Sequence, residues 1–304
     1  MRRLVRFLLM LLIVPPIIAA IAGWIVAPWF LHPVNRALTA DLIRNADVAF
    51  ARIHATREDF IVNAPDGAAL RGWKVRAAQP SGDWVLLFHG VGDNRIGVLD
   101  HALLLLSAGY DVVMMDARAH GESGGAMATY GWTERDDTQS VVDALEATEH
   151  PRHLFALGES MGAGIALQSA AIEPRIEAVV AEAPFANLRE ASYDYAGLRW
   201  SPLLGKTLFA PGTWTMIYRA ERIANLPAAA VSPMKAVAAR SFPVLLICDA
   251  NDVALPCRHT KMIFDAVIGR KEMWIVTGAL HTAALGHEPA EFRRRVLAFF
   301  DSAR

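Results

Sequence analysis

The sequence predicts an α/β fold: a mostly parallel central sheet opened by an antiparallel hairpin, helices on both faces, and a helical cap insert. Three observations carry that expectation. Downstream of Trp84, short apolar runs alternate with helical segments, the pattern of a parallel sheet covered on both faces. Ahead of them, Pro65-Asp66-Gly67 forms a turn between two segments of strand-like alternation. Between Phe185 and Phe242 the rhythm breaks into a stretch dense in aromatics and prolines. The 304 residues are 54% hydrophobic and 20% charged, so one large domain with a short appendage can bury a sizeable core.

Residues 1–31 form the appendage. No charged side chain occurs from Phe7 to Leu31, a run long enough to cross a bilayer core of ~30 Å as a helix. Arg2, Arg3 and Arg6 precede it, whereas Arg36 and Arg44 beyond it are accompanied by Asp41 and Asp47. The positive-inside tendency therefore places the N-terminus in the cytoplasm and the main domain outside, in the periplasm if the cell is bacterial. Pro15 and Pro16 would kink such a helix, which spanning helices tolerate. A cleaved signal peptide is the alternative, since Ala20-Ile21-Ala22 fits a cleavage pattern. The apolar run, however, continues through Trp24, Ile25, Val26, Trp29 and Phe30, beyond the ~7–15 residues of a signal core. A buried soluble helix would show polar positions on one face. A single-pass anchor is favoured.

Residues 32–56 read as an amphipathic connector helix, with Leu38, Leu42, Ile43 and Phe50 set among charges, and the α/β domain occupies 57–304. Its hairpin pairs residues 59–63 with 70–75. Strands are then expected at 84–88, 111–115, 153–157, 176–181, 244–248 and 272–276. Helices are expected at 98–106, 133–149 and 161–172, and at 289–300 to close the chain. The insert at 185–242 carries Tyr193, Tyr195, Trp200, Phe209, Trp214 and Tyr218, with Pro202, Pro211, Pro227 and Pro233. It reads either as a lid over the C-terminal strand ends, where open α/β sheets place their sites, or as aromatics packing the insert onto the sheet.

Lys+Arg 30 against Asp+Glu 31 leaves no basic stripe, so nucleic acid is not an expected partner. The two cysteines, Cys248 and Cys257, cannot make a disulfide framework or a four-thiolate zinc site. They read as small buried apolar residues, with a stiffening bridge as the alternative in an oxidising compartment. No glycine-rich phosphate loop and no metal-ligand spacing occurs, so no cofactor or metal is expected.

The chemistry-bearing pattern is Gly158-Glu159-Ser160-Met161-Gly162, between a strand and a helix. A serine on that sharp turn has its Oγ lifted clear of the sheet, and small flanking residues leave room for the strained backbone. The helix N-terminus directs free N–H groups toward developing negative charge. A hydroxyl nucleophile needs a base, and the base an orienting carboxylate, in the chain order serine, acid, histidine. Downstream lie only His259, His281 and His287. His281, in the loop after the last strand, is favoured, with His287 the alternative. Asp252, in the loop beyond its strand, is favoured as the acid over Asp249 at the strand edge, which can shape the turn. The oxyanion donors expected are the backbone N–H groups of Met161 and Val91, while His89 is expected to brace its loop rather than move protons.

From Glu58 onward the chain resembles the α/β-hydrolase superfamily, within its membrane-anchored, esterase- or lipase-like serine hydrolases. The resemblance rests on Asp66 through Trp73, Phe88-His89-Gly90, Asp116 through Ser123, the Ser160 turn, Ser232-Pro233, Asp252 through Pro256, and His281. Ala119 and Asp249 stand where such proteins commonly have glycine, which puts loop shape and substrate fit in question rather than chemistry. The expected activity is cleavage of an ester or thioester of a small-molecule acyl or lipid substrate through an acyl-enzyme on Ser160. Amide cleavage, as in an aminopeptidase, is the nearest alternative, and a non-catalytic scaffold on the same fold the remotest.

Overall fold

The computed structural model describes residues 2–197 and 202–304; Trp200 of the insert lies outside them. Helix α1 (Arg2–Leu31) contains Pro15, Pro16 and Pro28 and remains helical through all three. Its segment Ile13–Leu31 has mean hydropathy 1.9 and is largely uncovered by the rest of the protein, so it meets the length and composition of a membrane span. The side chains of Arg2, Arg3 and Arg6, on which the expected orientation rests, are outside the described ones.

The connector is a shorter helix than its sequence suggests. Residues 33–39 run without helix, as Pro33 disfavours a helical residue before it. Helix α2 (Ala40–Arg52) then starts where Thr39 Oγ1 accepts the Leu42 N–H at 3.3 Å, an N-cap worth ~1 kcal/mol. It buries Ala46 and Phe50, the latter edge-on to Trp73.

Strands β1 (Thr56–Asn63) and β2 (Ala69–Arg76) form the hairpin. Six more follow: β3 (Asp83–Phe88), β4 (Asp111–Met115), β5 (His153–Glu159), β6 (Ile176–Glu182), β7 (Val244–Asp249) and β8 (Lys271–Val276). The sheet order is β1-β2-β4-β3-β5-β6-β7-β8, antiparallel through the β2–β4 pair and parallel from there on. The burial of β5 and β7 on both faces explains their continuous apolar sequences.

Helices cover both faces. A 3-10 turn at Arg95–Val98, α3 (Leu99–Leu106) and the closing α12 (Pro289–Asp301) pack one side with α2, around Phe155, Phe292 and Phe300. Helices α4 (Glu134–Glu149), α5 (Met161–Ile172), α9 (Pro233–Ala239) and α10 (Arg258–Ala266) pack the other. The insert contributes α6 (Leu188–Gly197), α7 (Pro202–Lys206) and α8 (Ala210–Ala224) before α9, and a single turn, α11 (Ala284–His287), precedes α12. A third apolar cluster lies under the insert and includes Leu31, Phe185, Leu188, Ile217 and Leu255. The end of α1 is thus built into the cap, which no local feature of the sequence announces.

Candidate active site

The strand β5 ends at Glu159 and α5 begins at Met161, which leaves Ser160 to make the whole turn. Its backbone sits at φ 53°, ψ −117°, a sparsely populated conformation that costs ~1–3 kcal/mol and must be held by its surroundings. The Ser160 N–H donates to the Glu182 carbonyl at 2.9 Å, and its own carbonyl accepts the Gly164 N–H at 3.2 Å. A Cβ at Gly162 would collide with the carbonyls of Phe88 and His89, and one at Gly158 with the Gly162 backbone. The glycines on either side therefore let α5 approach β3 and β5 closely enough for the turn to form.

His281 and Asp252 meet Ser160 there. His281 Nε2 lies 2.9 Å from Ser160 Oγ, and Nδ1 lies 2.6 Å from Asp252 Oδ2. An ionised carboxylate only accepts, so Nδ1 carries the proton and Nε2 is left to accept from the serine hydroxyl. The other oxygen, Asp252 Oδ1, accepts the N–H groups of Ala254 at 2.7 Å and Leu255 at 2.9 Å. Burial works against the imidazolium, but the hydrogen bond and charge of Asp252, helped by Asp249 and Glu159, outweigh it and raise the His281 pKa. The rival histidines are elsewhere. His287 Nε2 bonds the Thr277 carbonyl at 3.0 Å, and buried His259 is held by Asp194 at 2.8 Å and by the Ala186 N–H.

Two acids outside this line pin the histidine loop. Asp249 Oδ2 accepts the Thr282 N–H at 2.9 Å, and Glu182 Oε1 accepts the Ala284 N–H at 2.9 Å. Thr282, next to His281, sits at φ 53° and needs such restraint. Burial, with the Glu182 charge adding to it, pushes the Asp249 pKa up to about 8. Burial likewise lifts Glu159 to about 7. Both can hold a proton near neutrality, as like charges in a poorly solvated cluster require. The turn role that the sequence gives Asp249 fits, while Glu182 goes unsignalled: β6, Ile176–Glu182, holds two acids, Glu177 and Glu182, and only the one closing its apolar run is buried.

The loop after β3 is equally constrained. His89 Nε2 accepts the Ala117 N–H at 3.0 Å and Nδ1 donates to the Gly90 carbonyl at 2.7 Å, so the ring braces the loop. Burial, then the neighbouring His120, lowers its pKa to about 4, keeping it neutral. Val91 and Met161 both border the cavity over Ser160. The chain after α1 crosses this loop: Arg36 N–H donates to the Gly92 carbonyl at 2.8 Å, and Asn94 Nδ2 to the Arg36 carbonyl at 3.0 Å. Nearby, Ala119 adopts φ 57°, the left-handed backbone for which glycine is the usual choice.

Cys248 and Cys257 are joined in a disulfide with a Cα–Cα distance of 5.4 Å, which corrects the reading of them as two free buried thiols. The bridge closes the loop that carries Asp252. The bridge that the sequence offered only as an alternative depends on the intervening turn, which brings the two Cα atoms within bonding range.

A cavity of about 880 Å³ opens over Ser160, near the upper end of the ~300–1,000 Å³ range of ligand sites. Its lining comes from the insert (Tyr195, Phe209, Met216), from Phe185 and Leu255, and from α1. Among the described residues, no charged side chain lines it.

The strand order can be set beside known proteins. The esterase Pf2001 of Pyrococcus furiosus superposes with a TM-score of 0.68 over 83% of this chain and 95% of its own, at 22% identity. The chain has the α/β-hydrolase fold. Within that fold the family model described as serine aminopeptidase, S33, matches residues 79–210, a span that holds Ser160 and ends before Asp252 and His281. Among sequence relatives, YqkD of Bacillus subtilis is 28% identical over 80% of this chain and 79% of its own length. The lysophosphatidylserine lipase ABHD12 of Danio rerio is 26% identical over 66% of this chain, a match that spans about half, 51%, of that lipase.

Proposed function

We propose that this protein is a membrane-anchored serine hydrolase that cleaves a carboxylic ester or thioester of a lipid or other acyl substrate. The observation that carries the reading is the continuous line Ser160 Oγ, His281, Asp252, with separations of 2.9 and 2.6 Å. His281 Nε2 removes the hydroxyl proton as Ser160 Oγ attacks the acyl carbon, and Asp252 holds the ring and stabilises the imidazolium. The N–H groups of Val91 and Met161 receive the oxyanion, a contribution worth ~10²–10³ in kcat per donor in comparable sites. His281 then protonates the departing alcohol or thiol. Water, activated by the same ring, releases the acid from Ser160. The uncharged cavity wall, and the lipase named among the relatives, favour an apolar acyl group.

A tagged fluorophosphonate tests this directly on membranes containing the full chain. Labelling of wild type and none of Ser160→Ala is expected, with turnover of acyl esters lower by up to ~10⁶ in the variant, as for other triads. Wild-type turnover in Ser160→Ala would remove the assignment. The aminopeptidase description of the matching family model favours a second reading, amide cleavage. Aminoacyl anilides turned over much faster than p-nitrophenyl esters would reverse the order.

A further inference from the structure

Helix α1 is more intimate with the site than a tether needs to be. Pro15, Ala19, Ala22, Val26 and Phe30 all line the cavity over Ser160. Across from them α8 supplies Gly212, Thr213 and Met216. The two helices touch backbone to backbone: a Cβ at Gly23 would overlap the Gly212 carbonyl, and one at Gly212 the Ala19 carbonyl. Polar bonds lock the contact. Thr215 Oγ1 donates to the Ala20 carbonyl at 2.7 Å, and Arg219 Nη1 to the Trp24 carbonyl at 2.5 Å with its guanidinium over the Trp24 ring. At the end nearer Ser160, Phe30 stacks on Tyr130 at 4.7 Å, and the Tyr130 hydroxyl donates to the Phe30 carbonyl at 2.6 Å.

The cavity wall on α1 runs from Pro15 to Phe30, ~22 Å at ~1.5 Å per residue. One leaflet of a ~30 Å hydrocarbon core is ~15 Å deep, so a lipid chain fits along it. The opening also has a direction. Ile18 on α1, at 60% exposure, is the most exposed of the cavity's large apolar lining residues, with Tyr195 at 56% and Leu208 at 43% also open at its rim. Beside Ile18 on α1, Val14, Ile17 and Ile21 expose the apolar surface that hydrocarbon would cover.

We propose that α1 is one wall of the acyl-binding site, and that a membrane lipid passes a single long acyl chain from the bilayer between α1 and α8 to reach Ser160. This rests on the hydrolase and anchor readings above and adds the route and the element that selects chain length. A wall that is mostly apolar among its described residues, with Ser192, Thr213, Tyr130 and Tyr195 as its few hydroxyls apart from Ser160, suits a hydrocarbon chain better than a peptide or sugar.

The test uses the full chain in lipid nanodiscs and a hexadecyl fluorophosphonate bearing a diazirine at the chain terminus. Phosphonylation of Ser160 is scored first; its absence overturns the hydrolase reading and not this one alone. Photolysis of the phosphonylated protein should then cross-link the chain end to residues 13–26 or 208–216. Cross-links confined to other segments or to lipid overturn the proposal. As a second arm, the ratio of kcat/KM for C16 to C4 p-nitrophenyl esters should fall at least tenfold in Ala22→Trp. It should hold in Ile25→Trp, which alters the outward face. A ratio is independent of the folded fraction, so poor folding does not mask the result. An unchanged ratio in Ala22→Trp overturns the proposal.

Discussion

The geometry at Ser160 makes the ionisation of single groups the most exposed part of the proposed mechanism to test. His281 must be neutral to accept a proton, and its pKa is raised above the ordinary 6.5. Activity is therefore lost as pH falls through a midpoint above 6.5, and kcat/KM profiles check it. Asp252→Asn removes the charge and, its oxygen kept by the Ala254 and Leu255 N–H groups, turns an amide donor toward His281 Nδ1 and favours the wrong tautomer, so the remaining activity, lower by ~10⁴ by analogy with other triads, should show its acid midpoint at lower pH. Asp249 behaves in the opposite sense to a paired surface acid. Its folded pKa of about 8 stands above the unfolded value of 3.8, so its contribution to stability is full below about 3.8 and lost as pH rises through about 8. Urea unfolding from pH 5 to pH 9 should show wild type losing stability and Asp249→Asn losing less; parallel slopes would sink the idea. Of these residues, Ser160, Asp252 and His281 were legible because chemistry imposes their types and chain order. Glu182 was not, because its task is to accept one backbone N–H from Ala284, and no pattern in the chain marks which loop folds back upon it.

Among the elements, the strands were readable nearly residue by residue. The run Asp111–Met115 and the helix Met161–Ile172 fall where periodicity and the turn residues put them, since each is decided by local alternation and burial. Loops were less legible. The acid loop is tied to the histidine loop by the Asn251 N–H donating to the Ala279 carbonyl at 2.9 Å, and it is closed by the Cys248–Cys257 bridge. A covalent loop of this size stabilises by ~2–3 kcal/mol in the chain-entropy picture. Cys257→Ser should therefore lower unfolding stability by about that amount without reductant, and by far less with it. Equal stabilities under oxidising conditions would show that the bridge contributes nothing. A persistent disulfide also suits a domain outside the cytoplasm.

At the scale of the whole molecule, the question is how α1 and the sheet domain divide their work. The exposed faces of Ile17, Ile21, Ile25 and Trp29 on α1, with Trp214 and Tyr218 of α8 nearby, present apolar and aromatic groups that water does not favour. If α1 spans the bilayer as proposed, the full chain stays in the membrane pellet after alkaline carbonate extraction, whereas release into the supernatant would mark a peripheral protein or a cleaved signal. The sheet supplies a rigid frame whose strand ends present Ser160, Asp252 and His281 from three separate loops. The insert and α1 supply the cavity wall.

What the sequence by itself determined was the α/β class, the order of strands and helices, the turn at Ser160, and the residue types and order of the line through His281 and Asp252. Each of these follows from local rules: side-chain period, turn chemistry, and the donor and acceptor capacity of individual groups. Only the tertiary structure decided that Glu182 and Asp249 clamp the histidine loop, that Cys248 meets Cys257, and that α1 returns against α8 beside Ser160. Those are contacts between segments up to 195 residues apart, as Ala20 and Thr215 are. They arise from the packing of whole elements, which no window along the chain contains.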